Sequence, residues 1–282
     1  SNFCSDEFNE TEIEDLVNNS YKKFRVKNVV NINKLKNIIL LELFHGPTLA
    51  FKDIAMQVIG NMYEKILGNE NKIINIIVAT SGDTGAAAIS ALRGRKNINI
   101  FVLHPHNRIS KVQRKMMTTV KENNVYNLAI EGNFDDCQKL VKSMFVDQSF
   151  NNKINMSGVN SINWARIITQ IVYYFFGYFQ INNGGQKINF SVPTGNFGDV
   201  FAGYVAKKMG LPINKLIVAT NKNDILKRVI STGIYKPKKV LQTISPSMDI
   251  QVASNFERLI FYISGNNDQM TLKIMEDLKK NN

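Results

Sequence analysis

Apolar positions recur at helical spacing along 54–67, where Ala55, Val58, Ile59, Met62, Tyr63 and Ile66 fall on one stripe and predict an amphipathic helix. Beyond it the pattern alternates. Short runs rich in Ile and Val predict strands at 73–80, 98–103, 125–130, 153–157, 187–192 and 215–220. Segments near 85–93, 110–121, 135–146, 162–180, 198–208 and 223–231 read as helices between them. Strands separated by helices imply parallel βαβ units and an α/β fold. Ser110 followed three residues later by Gln113 predicts a capping box at the start of the segment at 110–121. NNGGQ at 182–186 is the clearest break, between a helix and a new strand.

Composition narrows the classes. With 282 residues and 44% hydrophobic content, the chain is long enough to bury one large core or two moderate ones. The apolar runs at 73–79 and 168–179 are too short or too aromatic to cross a bilayer, and no signal peptide opens the chain, so a soluble, cytoplasmic protein without a membrane partner is expected. Cys4 and Cys137 lie far apart without a CxxC pair, which predicts neither a disulfide framework nor a metal site. The net charge of +12 is scattered rather than gathered into a basic run interleaved with aromatics, which argues for solvated surface and against nucleic acid. A positive field would still help gather anionic substrates such as phosphate esters.

In open parallel sheets, ligands bind beyond the carboxyl ends of strands, so the loops after strands are where chemistry is expected. TGNFGD at 194–199 sets Gly195 and Gly198 around Asn196 and Phe197 at a strand-to-helix turn, where bare backbone lets N–H groups converge on an anion. From local pattern alone, this is a phosphate cradle or simply a tight turn; it matches neither a P-loop nor GxGxxG. SGDTG at 81–85 offers the Ser81 and Thr84 hydroxyls and the Asp83 carboxylate at another helix start, suited to a substrate carboxylate or to helix capping by Ser81 or Asp83. Lys52 follows the apolar Leu49, Ala50 and Phe51, and Asp53 is placed to cap the next helix. Desolvation of such a lysine would lower its pKa, which an imine-forming amine needs, although most lysines at helix starts are merely solvated.

The segments ELFHGPTLAFKD, ATSGDTGAAA, EGNFDDCQ, NSINWARI, VPTGNFGD, KKMGLP, ATNKNDIL and SPSMDIQVASNFERL occur in this order between roughly 40 and 262. In that conjunction the chain resembles threonine synthase, in the branch with the GPTLAFKD signature. The resemblance implies a type II pyridoxal-phosphate fold like that of the tryptophan synthase β subunit. Two α/β lobes would enclose the cofactor, a smaller one at 54–160 and a larger one from 1–53 with 161–282. It implies pyridoxal 5'-phosphate on Lys52, the catalytic residue, with the cofactor phosphate at Gly195, Asn196, Phe197, Gly198 and Asp199. Ser81, Asp83 and Thr84 fall where the family grips the amino-acid end of its substrate, and Asn160, Ser161 and Arg166 where it meets the substrate phosphate. The implied reaction converts O-phosphohomoserine and water to threonine and phosphate by γ-elimination and β-addition. Alternatives are another enzyme of this fold, such as a serine or threonine dehydratase, and a non-catalytic relative that binds a phosphorylated ligand. Family chains run longer at both ends, and the C-terminal hydroxyl that faces the cofactor's pyridine nitrogen has no counterpart after about 265, so a truncated or reduced member is expected.

Overall fold

The computed structural model describes residues 3–68, 72–181 and 184–280. In chain order the elements are α1 (Glu10–Tyr21), β1 (Asn31–Leu35), β2 (Ile38–Glu42), α2 (Lys52–Leu67), β3 (Ile74–Ala79), α3 (Asp83–Leu92), β4 (Ile98–Pro105), α4 (Lys111–Thr118), β5 (Val125–Ile130), α5 (Phe134–Val146), α6 (Gln148–Ile154), β6 (Met156–Ser157) and α7 (Trp164–Ile181). They continue with β7 (Ile188–Pro193), α8 (Gly198–Lys208), β8 (Ile213–Ala219), α9 (Ile225–Thr232), α10 (Phe256–Ile263) and α11 (Asp268–Lys280). The expected break at 182–186 lies partly outside the described residues.

The chain divides into two compact units, Ser1–Thr169 and Gln170–Asn282. This differs from the expected lobes, because residues 1–53 are built into the first unit. Ser20 at the end of α1 donates to the carbonyl of Gln57 at 3.3 Å, and the Tyr21 hydroxyl donates to the carbonyl of Ile54 at 3.2 Å, so α1 is tied to α2.

In the first unit, four strands pair in the order β5-β4-β3-β6, all parallel. The period of two along each strand sorts its side chains between two layers. Ile76 and Val78 of β3, with Ile98, Ile100 and Val102 of β4, are buried against Met56 and Ile59 of α2, the alanines of α3 and Met117 of α4. Ile77, Ala79 and Leu103 face the other way, toward Cys137 and Val141 of α5. Covering both faces is what a parallel sheet requires, and each fully buried Ile or Val contributes on the order of 1.5–3 kcal/mol. Small residues let α2 and α3 approach. A Cβ at Gly60 would stand 2.8 Å from the carbonyl of Ala91.

Several expectations shift at their edges. The α2 stripe holds as far as Tyr63, but Ile66 is exposed and Leu67 takes the core position; the first half of α2, Lys52 through Gly60, is buried all round. The strand expected at 153–157 shrinks to Met156–Ser157, because Asp147 caps a short helix that runs to Ile154 and ends on the left-handed Asn155. At α4 the Ser110 side chain accepts from the N–H of Gln113, but the Gln113 side chain does not return to the cap backbone; it leaves for Asp83. In the second unit β7 and β8 pair in parallel, with α8 between them in sequence.

Candidate active site

Lys52 opens α2, and the chain leading to it is stapled. Asp53 does not cap the helix. It turns back over the preceding loop and accepts from the N–H and hydroxyl of Thr48, both at 2.7 Å. Asp53 is fully buried, and burial pushes its carboxyl up, opposed by the two Thr48 bonds. Gly46 makes the turn possible, because a Cβ there would stand 2.4 Å from Cβ of Asp53. Leu49 is held at φ 61°, a left-handed conformation that costs a branched side chain energy and that persists only where its surroundings impose it.

The Lys52 amine lies 3.0 Å from Oδ2 of Asp83, with 10% of its side chain and 21% of that of Asp83 exposed. Its carbon stem folds back so that the nitrogen sits 4.8 Å from the centre of the Phe51 ring. Burial lowers its pKa, the Asp83 carboxylate raises it, and the positive charge of Arg166 lowers it again. An amine so balanced gives up its proton more readily than a solvated lysine does.

Asp83 is set by the helix start that carries it. The N-cap of α3 is Gly82, and the Thr80 hydroxyl accepts from the N–H groups of Gly82 at 2.9 Å and Gly85 at 2.8 Å, so neither Ser81 nor Asp83 caps the helix, the alternative reading of this loop. Ser81 and Thr84 flank Asp83 at the mouth of this turn, half-buried. The second oxygen of Asp83 accepts from the side-chain amide of Gln113. Asp83, which the resemblance assigns to the substrate's amino-acid end, is an ion-pair partner of Lys52 in this structure.

Asn160 donates to the carbonyl of Ala79 at 3.0 Å, which ties the segment before α7 to the end of β3. The helix starts at Trp164, two residues later than expected, with Asn163 accepting from the N–H of Ala165, so Arg166 sits in its first turn. Arg166 is 4% exposed, and its Nη1 donates to the carbonyl of Val159 at 3.5 Å. Lys52, Asp83 and Arg166 therefore share one charged neighbourhood, with Asn160 on the strand end beside it and Ser161 half-buried next in sequence.

In the second unit the turn after β7 carries Gly195, Asn196, Phe197, Gly198 and Asp199. Thr194 fixes its entry, donating its N–H to the carbonyl of Ala219 at 2.8 Å and its hydroxyl to the carbonyl of Val192 at 2.6 Å. Phe197 is the cap of α8 at φ 67°, held there by edge-on packing against Phe256 with ring centres 5.5 Å apart. The N–H groups of the first turn of a helix have no intrahelical acceptors, and they suit an anion. The Asp199 carboxylate accepts from the hydroxyls of Tyr173 and Tyr174, which holds its negative charge on the tyrosines.

Sequence reasoning missed the segment that braces this turn. The backbone and side-chain N–H of Asn255 both donate to the carbonyl of Asn196, at 3.0 and 3.2 Å, and a Cβ at Gly195 would stand 3.0 Å from Ile250 and 3.3 Å from Cα of Met248. Asn221 in turn donates to Asp249 at 2.8 Å, which also holds Thr243 and Asn223. SPSMDIQVASNFERL carried no local signal of this, because its role is to pack on a turn 50 residues earlier.

A buried lysine amine whose pKa is lowered by burial suits chemistry that works through a lysine nitrogen. The chain belongs to the family of pyridoxal-phosphate dependent enzymes, which its residues 24–274 match, and pyridoxal phosphate is the cofactor. The match begins earlier than the signature segments alone suggested. The chain is 50% identical over 268 residues to threonine synthase of Eremothecium gossypii, covering 90% of this chain and 52% of the relative. It is 48% identical to threonine synthase of Pseudomonas aeruginosa, covering 98% of this chain and 59% of the relative. A crystal structure of pyridoxal-phosphate-bound threonine synthase from Brucella melitensis superposes with a TM-score of 0.92 at 50% identity, over 99% of this chain and 60% of that one. The type II fold is therefore as expected. The chain spans just over half the length of these curated relatives.

The residues present fit the cofactor. A buried primary amine of lowered pKa suits covalent attachment to an aldehyde, and a glycine turn at a helix start suits a phosphate.

Proposed function

We propose that the protein of which this chain is part is a threonine synthase, converting O-phosphohomoserine and water to threonine and inorganic phosphate. The observation that carries the reading is the buried Lys52 amine in HGPTLAFKD, paired with Asp83, in a chain half identical to threonine synthases. Lys52 would hold the cofactor covalently, and Gly195, Asn196, Phe197, Gly198 and Asp199 would hold its phosphate through backbone N–H groups. When bound, pyridoxal phosphate supplies an electron sink for the substrate carbons. The protein's part is to place protons and charge. Lys52, as a neutral amine, would take the proton from the α-carbon and return protons to the neighbouring carbons, and its lowered pKa would favour that neutral form. Ser81, Thr84 and the N–H groups of α3 would receive the substrate carboxylate, with Asp83 nearest the lysine. Arg166, desolvated and permanently charged, with Asn160 and Ser161, would receive the substrate phosphate, for which a planar guanidinium is the better donor.

This reading places the enzyme in the cytoplasm with a small molecule as its partner, and with neither nucleic acid nor membrane. The test supplies O-phosphohomoserine to protein loaded with pyridoxal phosphate and follows phosphate and threonine together. Equal release of both is expected. Ammonia from threonine, with no phosphate from phosphohomoserine, would make it a dehydratase instead, and binding without turnover would make it a non-catalytic relative.

A further inference from the structure

We propose that Gln113 is a positioning residue for Lys52 and acts through Asp83: its side-chain amide holds one carboxylate oxygen of Asp83 so that the other meets the lysine amine. The inference rests on the reading of Lys52 as the cofactor lysine and adds a residue from a different helix. Three helix starts converge here, Lys52 on α2, Asp83 on α3 and Gln113 on α4. Lys52 donates to Oδ2 of Asp83 at 3.0 Å, and Gln113 donates from Nε2 to Oδ1. Gln113 is itself fixed at both ends. Its Oε1 accepts from the Ser110 hydroxyl at 3.0 Å, and its backbone N–H donates to Oγ of Ser110 at 3.2 Å. The hydroxyl that caps α4 thereby also orients the amide.

Gly82 leaves the amide its space. Its φ of +136° favours glycine, and a Cβ there would stand 2.2 Å from Oε1 and 2.5 Å from Cδ of Gln113. Gly82, the first glycine of SGDTG, thus has a second reason to be bare, which the sequence pattern around it does not disclose.

The arrangement has a chemical consequence because the Asp83 side chain is 21% exposed, so water competes for its oxygens. A bond to each oxygen restrains the carboxylate's rotation, and so the placing of its charge against the amine, more than a bond to one does. The charged groups that face Lys52 are Asp83 from α3, Arg166 from α7 and Asp53 from its own helix. Burial and Arg166 drive the proton off, and Asp83 supplies most of what keeps it on. Gln113, by fixing Asp83, sets how much of that opposing pull reaches the amine.

The test follows the pH dependence of pyridoxal phosphate attachment to Lys52. Protein freed of cofactor is exposed briefly to pyridoxal phosphate, quenched with borohydride and digested, and the Lys52 peptide is quantified by mass spectrometry across pH. Attachment needs the neutral amine, so its midpoint follows the pKa of Lys52. Gln113→Met keeps the length of the side chain and removes the donor, and should move the midpoint down by about one pH unit. Asp83→Asn should move it at least as far, and the double variant no further than Asp83→Asn alone, since the effect passes through that carboxylate. Gln113→Asn, which draws the amide back by one methylene, should shift the midpoint in the same direction and carries the test if the Met variant does not fold. Unmoved midpoints in folded Gln113 variants, or a double variant displaced by the sum of the two, would overturn the proposal and leave Lys52 in its role. An adduct on a different lysine would overturn both.

Discussion

Replacing Thr48 with valine removes one hydroxyl and nothing else of comparable size, and that hydroxyl is one of two donors 2.7 Å from a carboxylate that is fully buried. The backbone N–H of Thr48 would remain on Oδ2 of Asp53 while Oδ1 lost its partner. A hydrogen bond to a buried charge is worth about 1.5–3 kcal/mol, so Thr48→Val should lower the free energy of unfolding by about that much at neutral pH, as read by urea denaturation. The loss should depend on pH in a definite direction. Burial raises the folded pKa of Asp53 above its unfolded value, so ionising it in the folded protein carries a cost that appears as pH rises through that range. The Thr48 hydroxyl offsets that cost only while the carboxylate is charged. The deficit of Thr48→Val should therefore be full above the folded pKa of Asp53 and shrink as pH falls below it. Because the staple sets the first residue of α2, cofactor attachment at Lys52 should slow as well. A deficit equal at neutral and acid pH, or none at all, would refute the staple.

Other perturbations follow from the same contacts. Gly195→Ala puts a Cβ 3.0 Å from Ile250 and 3.3 Å from the Met248 backbone, so a cost of about 1–3 kcal/mol in thermal stability should accompany weaker retention of pyridoxal phosphate in a fluorescence titration. Asn221→Ala removes the donor that joins Thr243, Ser245 and Asp249, each within 2.9 Å, and should expose residues 240–250 to limited proteolysis. Arg166→Ala should cut phosphohomoserine turnover by roughly 30-fold to several-thousand-fold, corresponding to ~2–5 kcal/mol, with Arg166→Lys restoring part of it. The same Arg166→Ala variant loses a charge that lowers the Lys52 pKa, so its attachment midpoint should move to higher pH, opposite to that of Gln113→Met.

Much of this was legible in the sequence because it is local. Periodicity placed β5 and α8 to the residue, since both are bounded by turn residues and have one clear period. The hairpin of β1 and β2 left no comparable trace: Ile38, Ile39 and Leu40 form a continuous run that stays exposed, so no alternation announces a strand. The helices after residue 255 were missed likewise, and with them the contact of Asn255 on the turn at 195–199. At the site, the residue types were readable from their motifs, but their partners were not. Asp83 was readable as a substrate residue from the resemblance, but its bond to Lys52 was not, and Gln113 read as half of a capping box because its spacing from Ser110 is right. Which way each side chain turns is decided by what another helix start offers across a gap of 30 residues, and no local pattern encodes that.

The measurement closest to the central claim is the mass of the lysine peptide after borohydride reduction of protein loaded with pyridoxal phosphate. The account predicts a single reduced adduct on Lys52, absent from Lys52→Ala. An adduct on any other lysine, or one that persists in Lys52→Ala, would contradict it.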